Sequence, residues 1–343
     1  MTSTENTTLA IKGPHARRRF LKHLAQFQQL LQEADALNQD VSPAQILFQS
    51  NTRAPMFMLQ GLARVYGKLD LDDKLFARIR LESKIVEDAL GLIDFWTALT
   101  KQYQAWSLPA GVAQLARERT IDATGRAWAW IQSQDWIACR YHDGNDLLPV
   151  KFAKKLKAVD WLSPAKEAKA LRKWLMKDLK SLHHTILELD LTHIEDGLHE
   201  ARREVRWISI YFGAMEGAFV LDKEAAPPDD WERYLTPAII NNPFNQLPEP
   251  EADDVPIIIP APLLYALSYL IEQLGIIKDS AQWTETVRHL LHLTGEKPSR
   301  SLPELMGDHY LEPEKATERG AALIEQVIVH DELLLKLADA IGV

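Results

Sequence analysis

Cysteine is almost absent: Cys139 is the only one in 343 residues. No disulfide can close within the chain and no cysteine-rich zinc site can form. A reducing, cytoplasmic setting is the expectation. Glycine is scarce, at 15 residues. Neither G-x-G-x-x-G nor G-x-x-x-x-G-K-[ST] occurs, so both common phosphate-cradling nucleotide loops are missing. Long apolar runs are lacking as well. The most apolar stretch, 255–274, is interrupted by Pro256, Pro260 and Pro262 and is too short to cross a bilayer, so no membrane partner is expected. The opening MTSTENTTLAIKGPHARRR has no apolar segment behind a basic one, and no secretory leader is expected. Positive charge is in deficit. The net charge of −9 argues against duplex nucleic acid bound across a broad basic face, but leaves room for a local basic site. Alternating strand patterns are also lacking, apart from the short 136–141 segment.

What the chain has is helical periodicity. Residues 1–13 are polar and expected to be loose, with Pro14 in the first turn of a helix carrying Phe20, Leu21, Leu24, Phe27 and Leu31. Helices are expected over about 72–106 and 110–133, a turn and midpoint at 142–150, and a helix over 164–184. The longest clean helix is expected over 190–219, on a ladder of Leu191, Ile194, Leu198, Ala201, Val205, Ile208, Phe212, Met215 and Phe219. Segment 222–256 is rich in Pro, Asp, Glu and Asn. It is expected to be a long connection with one short helix near Trp231. Helices resume over 262–274, 280–293 and 313–340. The fold class this predicts is all-α: two pseudo-repeated antiparallel helical bundles, 14–145 and 146–343, forming one compact protein with 222–256 inserted in the second.

One spacing occurs twice. His15, Arg18, Arg19 and Lys22 stand at offsets 0, 3, 4 and 7, and so do His199, Arg202, Arg203 and Arg206. At about 100° per residue, four such positions occupy about 100° of arc, one basic stripe along a helix. Exposed helix faces usually mix signs to gain i,i+4 pairs, whereas these stripes are nearly of one sign. Arginine predominates, which suits bidentate binding of phosphate or carboxylate oxygens. Two such stripes lining one groove would repel each other unless an anion lay between them. A second pair of segments repeats more loosely: Lys84 to Gly91, with Leu90-Gly91, and Leu274-Gly275-Ile-Ile-Lys278-Asp279.

Other candidates are weaker. Asp196-x-x-His199 is half of a di-iron motif whose second half is missing from the sequence, and neighbouring arginines would oppose a dication. His183-His184 and His289-x-x-His292, with Glu285, have no evident ligands from a second helix. Segment 151–180 is locally basic, with Trp161 and Trp174, and is expected to be a solvated lysine face over core tryptophans. Lys169, Arg172, Lys173 and Lys180 could add charge to a groove rim. Trp96, Trp106, Trp128 and Trp130 are expected to pack between helices. No nucleophile–base pair follows from spacing, and Cys139 has no activating context.

The residues His199-Glu-Ala-Arg202 with Arg206, and Leu274-Gly275-Ile-Ile-Lys278-Asp279, resemble the motifs of the CHAD family, the conserved-histidine α-helical domains. His15, Arg18 and Lys22 resemble the family's other copy of the first motif. The resemblance implies two related helical bundles over roughly 14–340, a basic central cavity and inorganic polyphosphate as ligand. It also implies association with polyphosphate granules in some members, and no catalysis. Trp207 and Ile208 stand where the family has further basic residues. The Glu-x-Glu-x-Lys strand of the triphosphatase domain fused to some members is missing here. The expectation is therefore a non-catalytic protein, without cofactor or metal, binding polyphosphate or another phosphorylated anion in a groove between its halves. Its site would comprise His15, Arg18, Arg19, Lys22, Lys84, His199, Arg202, Arg203, Arg206 and Lys278. The rival readings are a helical scaffold for a protein partner and, behind it, a metal-dependent bundle enzyme.

Overall fold

Proline sets where many of the helices begin. Pro43, Pro149, Pro164, Pro262 and Pro313 each occupy the first or second helical position, where the missing N–H costs nothing and φ is already helical. Pro14 stands one place earlier than expected, at the N-cap. The computed structural model describes residues 9–37, 42–137 and 147–342. Cys139, most of the 136–141 strand candidate and residues 142–146 of the expected turn lie outside them. The chain forms two units, 1–161 and 162–343, so the division comes later than the expected 145/146.

The first unit contains α1 (His15–Ala36), α2 (Pro43–Gln49), α3 (Arg53–Lys68), α4 (Asp73–Ala105), α5 (Ala110–Ser133) and α6 (Leu148–Leu156). The Asp72 carboxylate caps α4 by accepting from the Leu75 N–H at 3.0 Å. Helix α4 packs on α3 and α5, and α1 packs on α3. The core is aromatic where α1, α3 and α4 meet. The Phe20 ring lies 5.5 Å from those of both Tyr66 and Phe76, and 6.0 Å from Trp161. A second cluster joins Phe27, Trp136 and Phe152.

The second unit contains α7 (Pro164–Leu187), a π-helical turn (Ile194–His199), α8 (Glu200–Ala214), β1 (Phe219–Asp222), α9 (Pro237–Ile240), β2 (Ile257–Pro260), α10 (Ala261–Thr294), α11 (Leu302–Met306), α12 (Pro313–Ile324), a second π-helical turn (Glu325–His330) and α13 (Leu333–Gly342). The expected 190–219 helix is thus three elements. From Leu198 to Phe219 its apolar ladder is buried throughout, yet the backbone passes from π to α to strand. Gly197 approaches Asp190 so closely that a Cβ there would lie 2.3 Å from the Asp190 carbonyl oxygen. Gly217, at φ +78°, turns the chain out of the helix. The two helices expected over 262–293 are one. The 313–340 helix is broken at Glu332, where φ is +51°.

The unexpected sheet closes the long connection at its base. Strands β1 and β2 pair in parallel, Phe219 with Ile257 through Asp222 with Pro260, at the two ends of 222–256. Ile257 and Ile259 are buried while Ile258 is exposed. Three consecutive isoleucines therefore hide an alternation visible only in burial. A one-turn 3₁₀ helix at Trp231–Tyr234 lies in the connection, as expected near Trp231.

Asp331 ties this connection to the C-terminal helices. Its carboxylate accepts two bonds from Arg233, at 2.8 and 2.9 Å, one from Gln326 at 3.3 Å and one from the Tyr234 hydroxyl. Burial pushes the Asp331 pKa up, but the bonds from Tyr234, Arg233 and Gln326 outweigh it and the pKa lies below the ordinary aspartate value. Burial, followed by the bond to Asp331, pushes the Tyr234 phenol up to about 12. At acid pH the folded state thus binds fewer protons at Asp331 than the unfolded one. The stabilisation is present above the ordinary aspartate pKa and is lost as pH falls through the lowered folded value. Asp331→Asn should cost the second unit about 1–3 kcal/mol at neutral pH. It should also flatten the acid limb of its stability profile in urea titrations run from pH 6 to about pH 3. An unaltered acid limb would show that the tie contributes nothing.

Candidate basic site around Gly275

Helix α8 owes its basic segment to where burial begins. From Trp207 to Ala214 every residue except Gly213 is buried, so the helix is enclosed on all sides there. Basic residues fit only in the turns before Trp207, which is why the stripe ends at Arg206. The preceding π-helical turn delivers His199 to the start of α8. Such insertions re-aim side chains and recur at functional sites.

Three predicted residues, Arg202, Lys278 and His199, come together in the second unit. The Arg202 guanidinium lies against Gly275 of α10, so close that an added Cβ there would sit 3.0 Å from Nη2. Nε of Arg202 donates to the Ile271 carbonyl at 3.1 Å. Gly275, expected to end a helix, continues one and makes a seat for an arginine. Lys278, one turn further along α10, has a side chain only 14% exposed and pairs with Asp279 at 2.7 Å. His199 is half-buried, and among the described residues its Nδ1 has no hydrogen-bond partner. Burial first, then the charges of Lys278, Arg202 and Arg203, hold the His199 pKa below its ordinary value against the opposing pull of Glu195. The imidazole is therefore neutral at neutral pH, in a positive field.

Other residues of the predicted set stand differently. Arg203 is exposed and committed to Glu200 at 2.5 Å and Glu204 at 3.7 Å. Arg206 is half-buried on α8. In α1, His15 and Arg18 are half-buried, Lys22 is exposed, and Arg18 donates to the Gly13 carbonyl at 2.8 Å. Arg19 departs from the expected stripe. It is 1% exposed and its Nη1 donates to the Tyr66 hydroxyl at 2.6 Å. Arg19 stands at one edge of the buried arc of α1. Lys84 is exposed and pairs with Asp88 at 2.7 Å.

Sequence reasoning missed Arg53. Its guanidinium lies on Gly91 of α4 as that of Arg202 lies on Gly275, again 3.0 Å from an added Cβ. It donates to Glu87 at 2.5 and 3.2 Å and to Asp94 at 2.9 Å, and lies over the Phe57 ring. The signal that could have found it is the Leu-Gly pair itself, at 90–91 and 274–275.

Of the other histidine candidates, His184, His289 and His292 are exposed. Trp106 is buried, whereas Trp96, Trp128 and Trp130 are half-buried, and the fully enclosed tryptophans are Trp136 and Trp231. His183 is buried beside His184, and burial lowers its pKa. Among the described residues, no group of three or more His, Cys, Asp or Glu is placed to hold a metal ion, and no helix is long and apolar enough to cross a membrane. No protein-family model, curated protein or solved structure matches the chain.

Proposed function

We propose that the chain is a non-catalytic polyanion-binding helical protein, with inorganic polyphosphate or another phosphorylated anion as its ligand. The observation that carries this reading is the convergence of Arg202, Lys278 and a neutral, half-buried His199 around Gly275. Arginine seated on a glycine is held in position before a ligand arrives, so little side-chain entropy remains to be lost on binding. Lys278 adds a charge-assisted donor on the same side. An anion there would draw a proton onto His199, so binding strengthens as pH falls below the ordinary histidine value. Association with polyphosphate granules follows as part of the same proposal.

The two units are, in this reading, divergent copies of one helical bundle with antiparallel neighbours. The supporting match is between α3–α4 and α8–α10 rather than between α1 and α8. Gly91 follows Arg53 by 38 residues and Gly275 follows Arg202 by 73. The difference of 35 residues equals the length of the 222–256 connection.

The test is long-chain polyphosphate binding by the full-length protein at low ionic strength. Arg202→Ala should weaken it at least about tenfold, the loss of roughly one charge-assisted hydrogen bond. Lys166→Ala, on exposed α7 surface, should leave it unchanged. Equal affinities in both variants would sink the proposal.

A further inference from the structure

The outer face of α7 carries charge of one sign. Lys166, Lys169, Lys173, Lys177 and Lys180 are all exposed. At about 100° per residue they fall within about 80° of arc, and they run for about 21 Å along the helix. The acids of this helix, Glu167 and Asp178, lie outside the arc, Glu167 buried and Asp178 half-buried. Lys180 pairs with Asp339 of α13 at 3.2 Å. Among the described residues the other four lysines have no ion pair.

Other long helices of this protein mix signs. On α4 and α5, Arg78, Lys84 and Arg126 each pair with an acid four residues away. On α7 the neighbours at that spacing are further cations. Lys169, Lys173 and Lys177 stand four apart and repel, at a cost in helix stability that opposite charge laid along the ridge would offset.

The make-up of the ridge indicates the kind of partner. Lysine is a hydrated point charge on a flexible stem, without the planar fork of arginine, so the ridge suits diffuse charge rather than fixed bidentate contacts. The arc holds no aromatic ring on which a base could stack. Trp174 is half-buried and stands about 100° from the midline. Nor does the arc hold an apolar anchor of the kind that carries a protein–protein contact. Ammonium groups spread over about 80° of arc reach one plane to within about 2 Å, well inside a Debye length of about 10 Å. All five can therefore meet a flat anionic surface at once.

We propose that α7 is a docking ridge for an anionic lipid surface, met through its headgroups alone. Such a contact needs no spanning segment. In a chain of net charge −9, the ridge also fixes which face turns to the leaflet, because anionic faces are repelled. The proposal uses no residue of the Arg202 site and stands apart from it.

The experiment is co-sedimentation of the full chain with phosphatidylcholine vesicles, plain or with about 30% phosphatidylserine, at low ionic strength. Circular dichroism checks folding. The wild type should bind the anionic vesicles and not the neutral ones, and salt should release it. Each lysine near such a surface contributes about fivefold, so K166Q/K169Q/K173Q/K177Q should fall to the neutral-vesicle level. K101Q/K223Q/K297Q/K315Q removes four exposed lysines elsewhere and reaches the same net charge; it should stay bound. If the ridge variant fails to fold, K173Q/K177Q is judged in the same way, with a loss of about 25-fold expected. Absence of wild-type binding to the anionic vesicles, or equal loss in both quadruple variants, overturns the inference. So does release by millimolar glycerophosphoserine, which would mark a discrete headgroup pocket, or binding to polyuridylate but not to the vesicles. Tripolyphosphate binding is read on the same samples. If the wild type binds vesicles but no tripolyphosphate, the Arg202 reading fails and this one stands.

Discussion

Phe20→Ala should destabilise the first unit by about 3–5 kcal/mol, the range for removing a fully enclosed aromatic side chain. Phe20 has no solvent exposure. Its ring meets Tyr66 from α3, Phe76 from α4 and Trp161 beyond α6, so truncation leaves a cavity bounded by three separate parts of the unit. Those parts are large, stiff rings, which cannot collapse to fill it. The same cluster contains the Tyr66 hydroxyl, which accepts from the buried Arg19. Tyr66→Phe would keep the packing and remove that acceptor, at about 1–3 kcal/mol, because a buried guanidinium N–H loses its partner. Urea denaturation of the two variants checks both values. A Phe20→Ala midpoint within error of wild type would contradict the core described here.

Lys278→Glu should have the largest effect on binding. It removes a cation from beside Arg202 and puts a carboxylate in its place. The expected loss in tripolyphosphate affinity is about 10- to 100-fold, the size of a charge-assisted hydrogen bond. The His199 imidazole should respond as well. Lys278 is the first of the charges that, after burial, hold its pKa down, so the reversal should raise that pKa, as read by NMR titration of the ring protons. Unchanged affinity together with an unchanged His199 titration would mean that the three side chains do not share one field.

Much of the fold was legible because long amphipathic helices announce themselves. The expected 72–106 and 110–133 became Asp73–Ala105 and Ala110–Ser133. What stayed hidden has identifiable causes. Helix α3 carries Pro55 and Gly61, residues that weaken a helical reading, though Met56, Leu59, Leu62, Ala63 and Tyr66 keep the spacing and are all buried. Gly275 suggested an end to a helix that continues, because sequence does not show that an arginine from α8 fills the space of the missing side chain. The strand alternation of 257–259 is masked by three identical residues. The basic stripe of α1 lost Arg19 to the core, because at the edge of the buried face it finds the Tyr66 hydroxyl as a partner. The basic segment of α8 ends at Arg206 because burial starts at Trp207. Arg53 does not fit the repeated spacing, since Ser50 and not a histidine stands three residues before it.

We propose that Arg202, Lys278 and His199 form a seat for a phosphorylated anion. Its most direct test is the salt dependence of tripolyphosphate binding by the wild-type protein, followed by calorimetry at constant pH. Saturable binding is expected at low ionic strength, weakening steeply as salt is raised and at least about tenfold in Arg202→Ala. Absence of saturable binding at low salt, or binding indifferent to both salt and Arg202, would contradict it.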